Sequence, residues 1–357
     1  MPDLDDLPRY RPDKSYQWNY DHAPEPVPIE VPEVPGRWDF LGLRVGSPLG
    51  VAAGPLLNAR WLLYYAQLGF DVLVYKTVRS TARPCYPLPN LVPVACDQLR
   101  GDEEAVEEAE RMRGSWAVSF GMPSQPPELW RRDVAWARKQ LPPGKVLCVS
   151  VVGTQTPGGS IDQLAQDYAQ VALWAVEAGA QVVEANFSCP NVNTADGQLY
   201  RSPELSAQVA QAIRRAIGPE VPLVLKIGHV EQDHLARELV QALSGTVQAL
   251  AMTNSVAARV KARDGSWHFQ GQKRGICGRA TFAASLEQLR RFARAVQEQG
   301  SPLRLIGVGG VHSARQVQAY LAAGAHGVHL ATAAMVDPAV AVRIRRGWPA
   351  AARQKQA

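Results

Sequence analysis

The sequence predicts an α/β protein of the (β/α)8 class: a TIM-type barrel with an N-terminal strap and hairpin and a long insertion after strand two. Eight apolar, β-branched runs alternate with stretches of helical periodicity along the 357 residues. Continuous apolar runs indicate parallel strands buried on both faces, and eight such units are the number that closes a barrel. The predicted strands are 50–53, 72–76, 146–152, 182–185, 223–227, 249–253, 303–308 and 328–331.

The segments between the later strands have the period of amphipathic helices, and each ends at or near a glycine that can cap it. The predicted helices are 164–178, 203–217, 286–299 and 314–323. Residues 38–46 predict a short hairpin that closes the bottom of the barrel. The preceding segment is rich in proline and charge, which favours an extended arm lying on the domain. The expected parts are an arm (1–36), the barrel (37–348) and a C-terminal tail (349–357).

The stretch between Thr77 and Leu147 departs from the regular alternation. It contains a proline-rich segment at 84–89 and an acidic segment, Glu103 to Arg111, whose composition predicts a helix. A connection of this length is usually functional, so it is expected to cover the mouth of the barrel. A surface elaboration without a functional role is the alternative.

Composition excludes several functional classes. Hydrophobic residues make up 46% and charged residues 20% of the chain, a balance typical of globular enzymes. The net charge of +5 is spread along the chain, so we expect no nucleic-acid partner. The absence of a bilayer-length apolar run and of a targeting signal predicts a cytoplasmic protein without a membrane partner. Five scattered cysteines predict reduced thiols, and no histidine pair has metal-site spacing.

The most informative motif is Asn-Phe-Ser-Cys-Pro-Asn at 186–191, directly after the fourth predicted strand. It places Cys189 between the side-chain amides of Asn186 and Asn191. A thiolate can accept a proton when its neighbours tune and hold it, and two amides can orient a flat, amide-rich ligand across the sulfur. The motif therefore predicts Cys189 as a catalytic base. The alternative is an inert cysteine in a turn of asparagine and proline.

Small and polar residues also follow the other predicted strands, and in barrels of this class the chemistry lies at these strand ends. They are Ala52, Ala53, Gly54, Lys76, Thr77, Lys226, Thr253, Asn254, Ser255, Gly309, Gly310, Ala331 and Thr332. The glycines after strand seven and the turn after strand eight predict a phosphate seat, to which Gly275 and Gly278 add. The two lysines and the small residues at 52–54 favour a flat, electron-rich ring.

From about Trp38 to about Arg346 the chain resembles the dihydroorotate dehydrogenase family, flavin barrels that oxidise dihydroorotate to orotate. The matching motifs are NFSCPN, TNS at 253–255, GICG at 275–278, GVGGV at 307–311, YKTV around Lys76, PLP at 87–89 and VLKIG around Lys226. The resemblance implies FMN as cofactor and a role in pyrimidine biosynthesis. A cysteine at 189 resembles the soluble class, in which cysteine removes the C5 proton while hydride passes from C6 to FMN N5.

Carried over by motif, the resemblance also implies which residues hold each ligand, and it favours a homodimer. The implied substrate-binding residues are Lys76, Asn186, Asn191, Asn254 and Ser255, with Gly121 and Met122 adding backbone groups. The implied cofactor-binding residues are Ala52, Ala53, Gly54, Lys76, Thr77, Asn186, Lys226, Thr253, Gly275, Gly278, Gly309, Gly310, Ala331 and Thr332. Trp116, Cys277, His312 and His329 are expected to be packing residues, and no metal site is expected.

Two positions depart from the family pattern. Val118 stands where the family usually has an asparagine, and Asn90 stands where the family has an arginine after PLP. The loop 90–116 is also longer than in the soluble enzymes of the family. A missing amide would leave one polar edge of the substrate unpaired. Three functions therefore stay open. The first is dihydroorotate oxidation, and the second is the same flavin chemistry on a neutral dihydropyrimidine or another cyclic amide. The third is a phosphate-binding barrel without flavin, either a lyase or isomerase or a non-catalytic binding module.

Overall fold

The computed structural model describes residues 3–156, 158–188 and 198–349. Eight parallel strands close into a barrel, which confirms the predicted fold class. Numbered with all strands along the chain, they are β3 (Leu49–Val51), β4 (Val72–Val78), β8 (Val146–Val151), β9 (Val182–Asn186), β10 (Leu223–Lys226), β11 (Ala249–Met252), β14 (Arg304–Val308) and β15 (Ala325–Leu330). The last strand pairs with the first, with Leu330 opposite Val51.

Helices cover the outside of the barrel and bury their apolar faces against the strands. They are α1 (Tyr16–Asp21), α2 (Ala59–Gln67), α3 (Pro127–Gln140), α4 (Ile161–Glu177), α5 (Pro203–Ile217), α6 (Asp233–Leu243), α7 (Phe282–Glu298), α8 (Ala314–Ala322), α9 (Thr332–Val336) and α10 (Val340–Arg346). Two reciprocal hydrogen bonds define where α4 begins. The side chain of Ser160 accepts from the backbone N–H of Gln163, and the side chain of Gln163 accepts from the backbone N–H of Ser160. Over the described residues, no helix has the length and apolar character needed to cross a bilayer.

The bottom of the barrel is closed by the predicted hairpin of β1 (Trp38–Phe40) and β2 (Leu43–Val45). The barrel interior is filled largely by alanine and valine side chains, and Phe40 packs into it from below. His329 projects into the same space from β15, with its ring centroid 5.7 Å from that of Phe40. Only a glycine fits opposite it, because a Cβ atom on Gly50 would lie 2.3 Å from the imidazole.

A buried ion network beneath the barrel joins the N-terminal arm to α10. The guanidinium of Arg345 lies 2.5 Å from the carboxylate of Asp71, which also receives Lys145 at 2.7 Å. Arg345 also donates to the backbone carbonyl of Pro32 in the arm at 2.9 Å and to that of Gly69 at 2.7 Å. Burial lowers the pKa of Arg345 and of Lys145, and Asp71 acts in the opposite direction on both.

A five-stranded sheet stands over the mouth of the barrel. It is built from β5 (Leu91–Pro93), β6 (Ala105–Glu107), β7 (Ser115–Val118), β12 (Val256–Lys261) and β13 (Arg274–Gly278), in the order β5-β7-β13-β12-β6. The first three strands come from the insertion after β4, and the last two follow β11. The long insertion thus covers the mouth, as predicted.

One sequence expectation for this sheet was wrong. The acidic segment at 103–111 contains a strand, β6, rather than the predicted helix. Helix propensity is overridden because β6 pairs in parallel with the basic strand β12. Glu104 lies 3.8 Å from Arg259 and 3.2 Å from Lys273, so the acids of the segment face bases across the sheet.

The N-terminal arm is packed into the main core rather than only lying on it. Leu7, Tyr10, Tyr16 and Ala23 are buried members of the large hydrophobic cluster. The backbone of the arm is tied to α2, because Trp61 donates from its indole nitrogen to the carbonyl of Asn19 at 2.8 Å. The segment 23–36 has no helix, in agreement with the predicted extended conformation.

Candidate active site

Two adjoining cavities lie between the barrel mouth and the five-stranded sheet. One has a volume of about 150 Å³ and the other of about 400 Å³. They are halves of one cleft, because the same side chains line both. These shared residues are Asn254, Cys277, Val308, Ala331 and Thr332.

The smaller cavity, here called the ring cavity, brings together most of the residues predicted from strand ends. Its predicted members are Ala52, Ala53, Gly54, Lys76, Thr77, Met122, Asn186, Lys226, Asn254, Ser255, Gly275, Ala331 and Thr332. Leu91, Trp116, Val118 and Phe120 form its ceiling, from the sheet and the chain that follows β7. Gly121 does not line the cavity, although its neighbours Phe120 and Met122 do.

The larger cavity, here called the anion cavity, contains three of the four glycines predicted for the phosphate seat; the fourth, Gly275, lines the ring cavity. Thr253, Gly278, Gly309 and Gly310 line it. Gly309 has φ +127° and Gly310 has φ +72°, values that favour glycine. A Cβ atom on Gly310 would also lie 2.5 Å from Phe282, so a side chain at this position would displace the start of α7.

Sequence reasoning missed two cationic residues of the anion cavity, Arg113 and Arg279. Arg279 follows directly after the predicted Gly278, so its position next to a glycine motif was a usable signal. Arg113 comes from the insertion and reaches the cavity only because β7 carries the chain over the mouth. The side chain of Arg279 packs over Gly114, where a Cβ atom would lie 2.6 Å from it.

Cys189 and Asn191 lie outside the described residues. The residue before Cys189, Ser188, is held by two residues that line the ring cavity. The backbone N–H of Ser188 donates to Oδ1 of Asn186 at 3.0 Å, and its carbonyl accepts from the side-chain amide of Asn254. Asn186 also contacts the sulfur of Met122 through its amide nitrogen at 3.6 Å. The predicted amides therefore fix the chain at the point from which Cys189 continues.

Charged side chains reach the ring cavity from inside the barrel. Lys76 on β4 and Lys226 on β10 are both buried, and Glu184 on β9 lines the same space. Glu184 was not predicted, although its alternation with Asn186 along β9 places both side chains on the interior face. Lysine ammonium groups at this position would attract an anionic ligand edge.

The two departures from the family pattern occupy different environments. Val118 lines the ring cavity and presents an isopropyl group to it. Asn90 is buried outside the cavity, where its amide donates to the carbonyl of Ser119 at 2.9 Å and to that of Tyr86 at 3.0 Å. Asn90 therefore holds the loop after β4 against the chain after β7, and only Val118 alters the cavity wall.

All four residues that were expected to be packing residues face the cleft: Trp116 lines the ring cavity, His312 and His329 line the anion cavity, and Cys277 lines both. Cys277 lines both cavities, and burial raises the pKa of its thiol to about 12. The protonated thiol contacts the carbonyl of Asn254 at 3.7 Å. His329 lines the anion cavity, and within the described ranges neither of its ring nitrogens has a hydrogen-bond partner. Burial, with a contribution from Lys226, lowers the pKa of His329 to about 3, so the imidazole is neutral at physiological pH.

These features fit a ligand with a flat ring at one end and a phosphate at the other, as in FMN. The anion cavity supplies glycine backbone and two arginines, which suit a phosphate. The ring cavity has small residues at 52–54 on one side, and a Cβ atom on Gly54 would meet nothing within 4 Å. The unpartnered nitrogens of His329 offer a polar contact between the two ends. Among the described residues, no cluster of potential metal ligands occurs.

A family model and two known relatives of this chain share one family description. A family model described as "Dihydroorotate dehydrogenase" matches residues 119–351. The chain is 29% identical over 358 residues to "Dihydroorotate dehydrogenase" of Dictyostelium discoideum, a match that covers 94% of this chain and 96% of that protein. It is 30% identical over 310 residues to "Dihydroorotate dehydrogenase (quinone)" of Burkholderia pseudomallei (strain 668), covering 85% and 81%.

A solved structure supports the same fold. "Crystal structure of DHODH in complex with ferulenol from Eimeria tenella" has a TM-score of 0.74 to this chain at 17% identity, and the match covers 93% of this chain and 88% of that one. At this identity the likeness concerns the fold alone. The family model spans well over half of the chain, including Asn186 at the end of β9 and the segments after β11 and β14 that line the cleft. The chain belongs to the dihydroorotate dehydrogenase family.

Proposed function

We propose that this protein is an FMN-dependent oxidoreductase that oxidises dihydroorotate to orotate in pyrimidine biosynthesis. Membership of the family supports this reaction. The observation that carries the proposal for this chain is the double anchoring of Ser188 by Asn186 and Asn254. Ser188 directly precedes Cys189 in the sequence, and both of its anchors, Asn186 and Asn254, line the ring cavity together with Lys76.

Bound FMN would supply the acceptor for the hydride from substrate C6. The residues that fit its phosphate are Gly309, Gly310 and Arg279 in the anion cavity. The residues that fit its ring are the small residues at 52–54 together with Lys226. Leu91, Trp116, Val118 and Phe120 form the ceiling of the ring cavity, so ligands bound beneath them would displace water and strengthen the electrostatic interactions inside it.

The chain's own chemical step is the removal of a proton. Oxidation forms a double bond between C5 and C6, so C5 must lose a proton as C6 loses its hydride. In our proposal the thiolate of Cys189 accepts the C5 proton. Asn186, Asn191 and Asn254 hold the substrate amides, and Lys76 attracts the substrate carboxylate.

The test is anaerobic mixing of the FMN-loaded protein with dihydroorotate while the flavin absorbance is followed. We expect dihydroorotate to bleach the flavin absorbance of the wild-type protein during this experiment. Cys189→Ser should slow bleaching at pH 7 by roughly 100-fold and make it rise with pH, because a serine hydroxyl is a much weaker acid. Cys96→Ser, which removes a thiol in the distant sheet edge, should bleach like the wild type. An unchanged rate in Cys189→Ser would refute the role of the thiolate.

A second candidate is the same chemistry on a neutral dihydropyrimidine or another cyclic amide. Val118 favours it, because an isopropyl group lines the cavity where the family pattern has an amide. Titration of the FMN-loaded protein with orotate and with uracil distinguishes the two candidates. Tighter binding of orotate supports dihydroorotate as substrate, and tighter binding of uracil supports the neutral ring.

We further propose that the protein acts in the cytoplasm as a homodimer, without a nucleic-acid or membrane partner. The family resemblance supports the dimer, and the dispersed charge supports the lack of a nucleic-acid partner. Light scattering after size-exclusion chromatography should give twice the mass of the 38.9 kDa chain. A mass of one chain across the micromolar range would contradict the dimer.

A further inference from the structure

The N-terminal arm reaches the active site through one side chain, Tyr16. The ring of Tyr16 is buried, and its centroid lies 5.6 Å from the Nζ atom of Lys76. The same ammonium lies 5.1 Å from the ring of Phe120. Lys76 and Phe120 both line the ring cavity, whereas Tyr16 stands behind them.

The two rings form an aromatic clamp, defined here as Tyr16 and Phe120 around the Lys76 ammonium. The rings of the clamp are 6.2 Å apart in an edge-to-face arrangement, at an interplanar angle of 66°. Tyr10 also packs edge-on against Phe120, at 6.3 Å and 86°. A cation held between aromatic faces is attracted to each of them, and the attraction grows when water is excluded. Lys76 is 8% exposed, so the clamp acts in a largely desolvated place.

The clamp is held by hydrogen bonds of the arm rather than by the barrel alone. Tyr16 is the first residue of α1, whose start is capped by the side chain of Ser15. The end of α1 is fixed to the barrel helices, because Asn58 donates to the carbonyl of Tyr20 at 2.8 Å. Asn19 ties α1 back to the preceding turn through its side-chain contacts with the backbone of Arg11. Tyr16 therefore has a fixed position relative to the strand that carries Lys76.

We propose that Tyr16 is a positioning residue for the reaction: it fixes the Lys76 ammonium and the Phe120 ring so that the anionic edge of the substrate meets a charge already in place. This inference rests on the proposed function, because it assigns the substrate carboxylate to Lys76. It gives the N-terminal arm a role in substrate binding. Tyr16 itself touches neither substrate nor cofactor in this arrangement.

The binding test compares Tyr16→Leu with Tyr16→Phe and Tyr20→Leu in the FMN-loaded protein. Tyr16→Leu should weaken orotate binding, read from the flavin spectrum, by about ten-fold, as expected for the loss of one buried cation–π contact. Tyr16→Phe keeps the ring and should restore orotate affinity. Tyr20 lies on the same helix, 6.4 Å from Tyr16, and Tyr20→Leu should lower the melting temperature without changing orotate affinity.

The neutral ligand uracil separates positioning of a charge from general packing. Tyr16→Leu should change uracil affinity by less than about two-fold, because uracil has no carboxylate for Lys76 to meet. Equal losses for orotate and uracil would overturn the proposal in favour of a packing role. Equal orotate losses in Tyr16→Leu and Tyr20→Leu would also overturn it.

A spectroscopic measurement tests the clamp independently of the reaction. In protein labelled with 13C at the lysine ε-carbon, the Lys76 signal is assigned by its loss in Lys76→Arg. Ring currents should shift this signal upfield in the wild type, and Tyr16→Leu should move it towards the exposed lysines. If Tyr16→Leu moves the Lys76 signal as expected but orotate does not bind to the wild type, the result refutes the proposed substrate and supports the clamp. If Tyr16→Leu leaves the signal unmoved, the clamp itself is refuted.

Discussion

The side-chain amide of Asn254 donates a hydrogen bond to the backbone carbonyl of Ser188. This contact joins two barrel segments, because Asn254 follows β11 and Ser188 follows β9. The backbone of Asn254 is fixed in its turn, since its N–H donates to the carbonyl of Ile227 at 3.0 Å. The residue that precedes Cys189 is therefore held by Asn186 at the end of β9 and by Asn254 after β11, with β10 between the two strands.

We predict that Asn254→Ala slows the anaerobic reduction of flavin by dihydroorotate by about 10- to 100-fold, because the base loses its fixed position. Asn254→Asp keeps the size of the side chain but cannot donate to the carbonyl, so it should share the defect. The melting temperature should fall by only a few degrees, as expected for one hydrogen bond. A wild-type rate in both variants would show that this contact does not position the base.

Replacement of Gly310 should release the cofactor. A Cβ atom at this position would lie 2.5 Å from Phe282 and would require the positive φ to change. We expect Gly310→Ala to purify with less than about a tenth of the wild-type flavin. Gly300 has φ +58° and open space around it, so Gly300→Ala carries the backbone cost without the clash. It should keep its flavin, measured by absorbance per chain; equal losses in both variants would contradict the prediction.

The buried His329 predicts a dependence of stability on pH. Its pKa is about 3 in the folded protein and about 6.5 in an unfolded chain. Below pH 6.5 the unfolded state binds a proton that the folded state does not, so the free energy of unfolding falls as the pH falls from 6.5 towards 3. At pH 4.5 the loss is roughly 2–3 kcal/mol. Above pH 6.5 this contribution no longer changes.

His329→Gln should flatten this part of the profile. Urea unfolding between pH 7 and pH 4.5 should show a smaller fall in the variant than in the wild type, by roughly the same 2–3 kcal/mol. Equal falls in the two proteins would mean that His329 is not held neutral. The absolute stability of the variant at pH 7 is a separate effect of packing and does not enter the comparison.

We expect the free energy of unfolding to be especially sensitive to replacement of the buried Arg345. Its removal leaves the carboxylate of Asp71 with Lys145 and Ser47, and it also frees the carbonyls of Gly69 and Pro32. We expect Arg345→Met to lower the free energy of unfolding by about 3–5 kcal/mol, as for other broken buried pairs. Arg343 lies on the same helix as Arg345, and Arg343→Met removes its solvent-accessible pairs with Asp337 and Asp5, which should cost less than about 1 kcal/mol. Similar costs for the two variants would contradict the importance of burial.

The barrel could be predicted from the sequence because each strand is one continuous apolar run between glycine-capped helices. In β4 every residue from Val72 to Val78 is buried, including the lysine, so the periodicity of the strand and its burial agree. The five-stranded sheet could not be predicted in the same way. Its strands span three to six residues, and β6 exposes Ala105 and Glu107 on either side of the buried Val106. The pairing of such strands depends on partners far away in the sequence.

The candidate site was predictable to the extent that it lies at strand ends. Lys76, Asn186, Lys226 and Asn254 follow from strand periodicity and from motif. Trp116 and Arg113 do not, because they reach the cleft through the insertion. The contact between Tyr16 and Lys76 was beyond prediction for a similar reason, since nothing in a proline-rich arm specifies which ring will meet which lysine.

The pairing of β15 with β3 has a consequence for how the protein is made. The first small residues of the ring cavity, at 52–54, emerge from the ribosome early, but the strand beside them ends only at Leu330. A nascent chain therefore lacks one wall of the cleft until β15 has been synthesised and has paired with β3. On the proposed function, a chain whose synthesis stops before β15 should bind no flavin, although it already carries the small residues at 52–54.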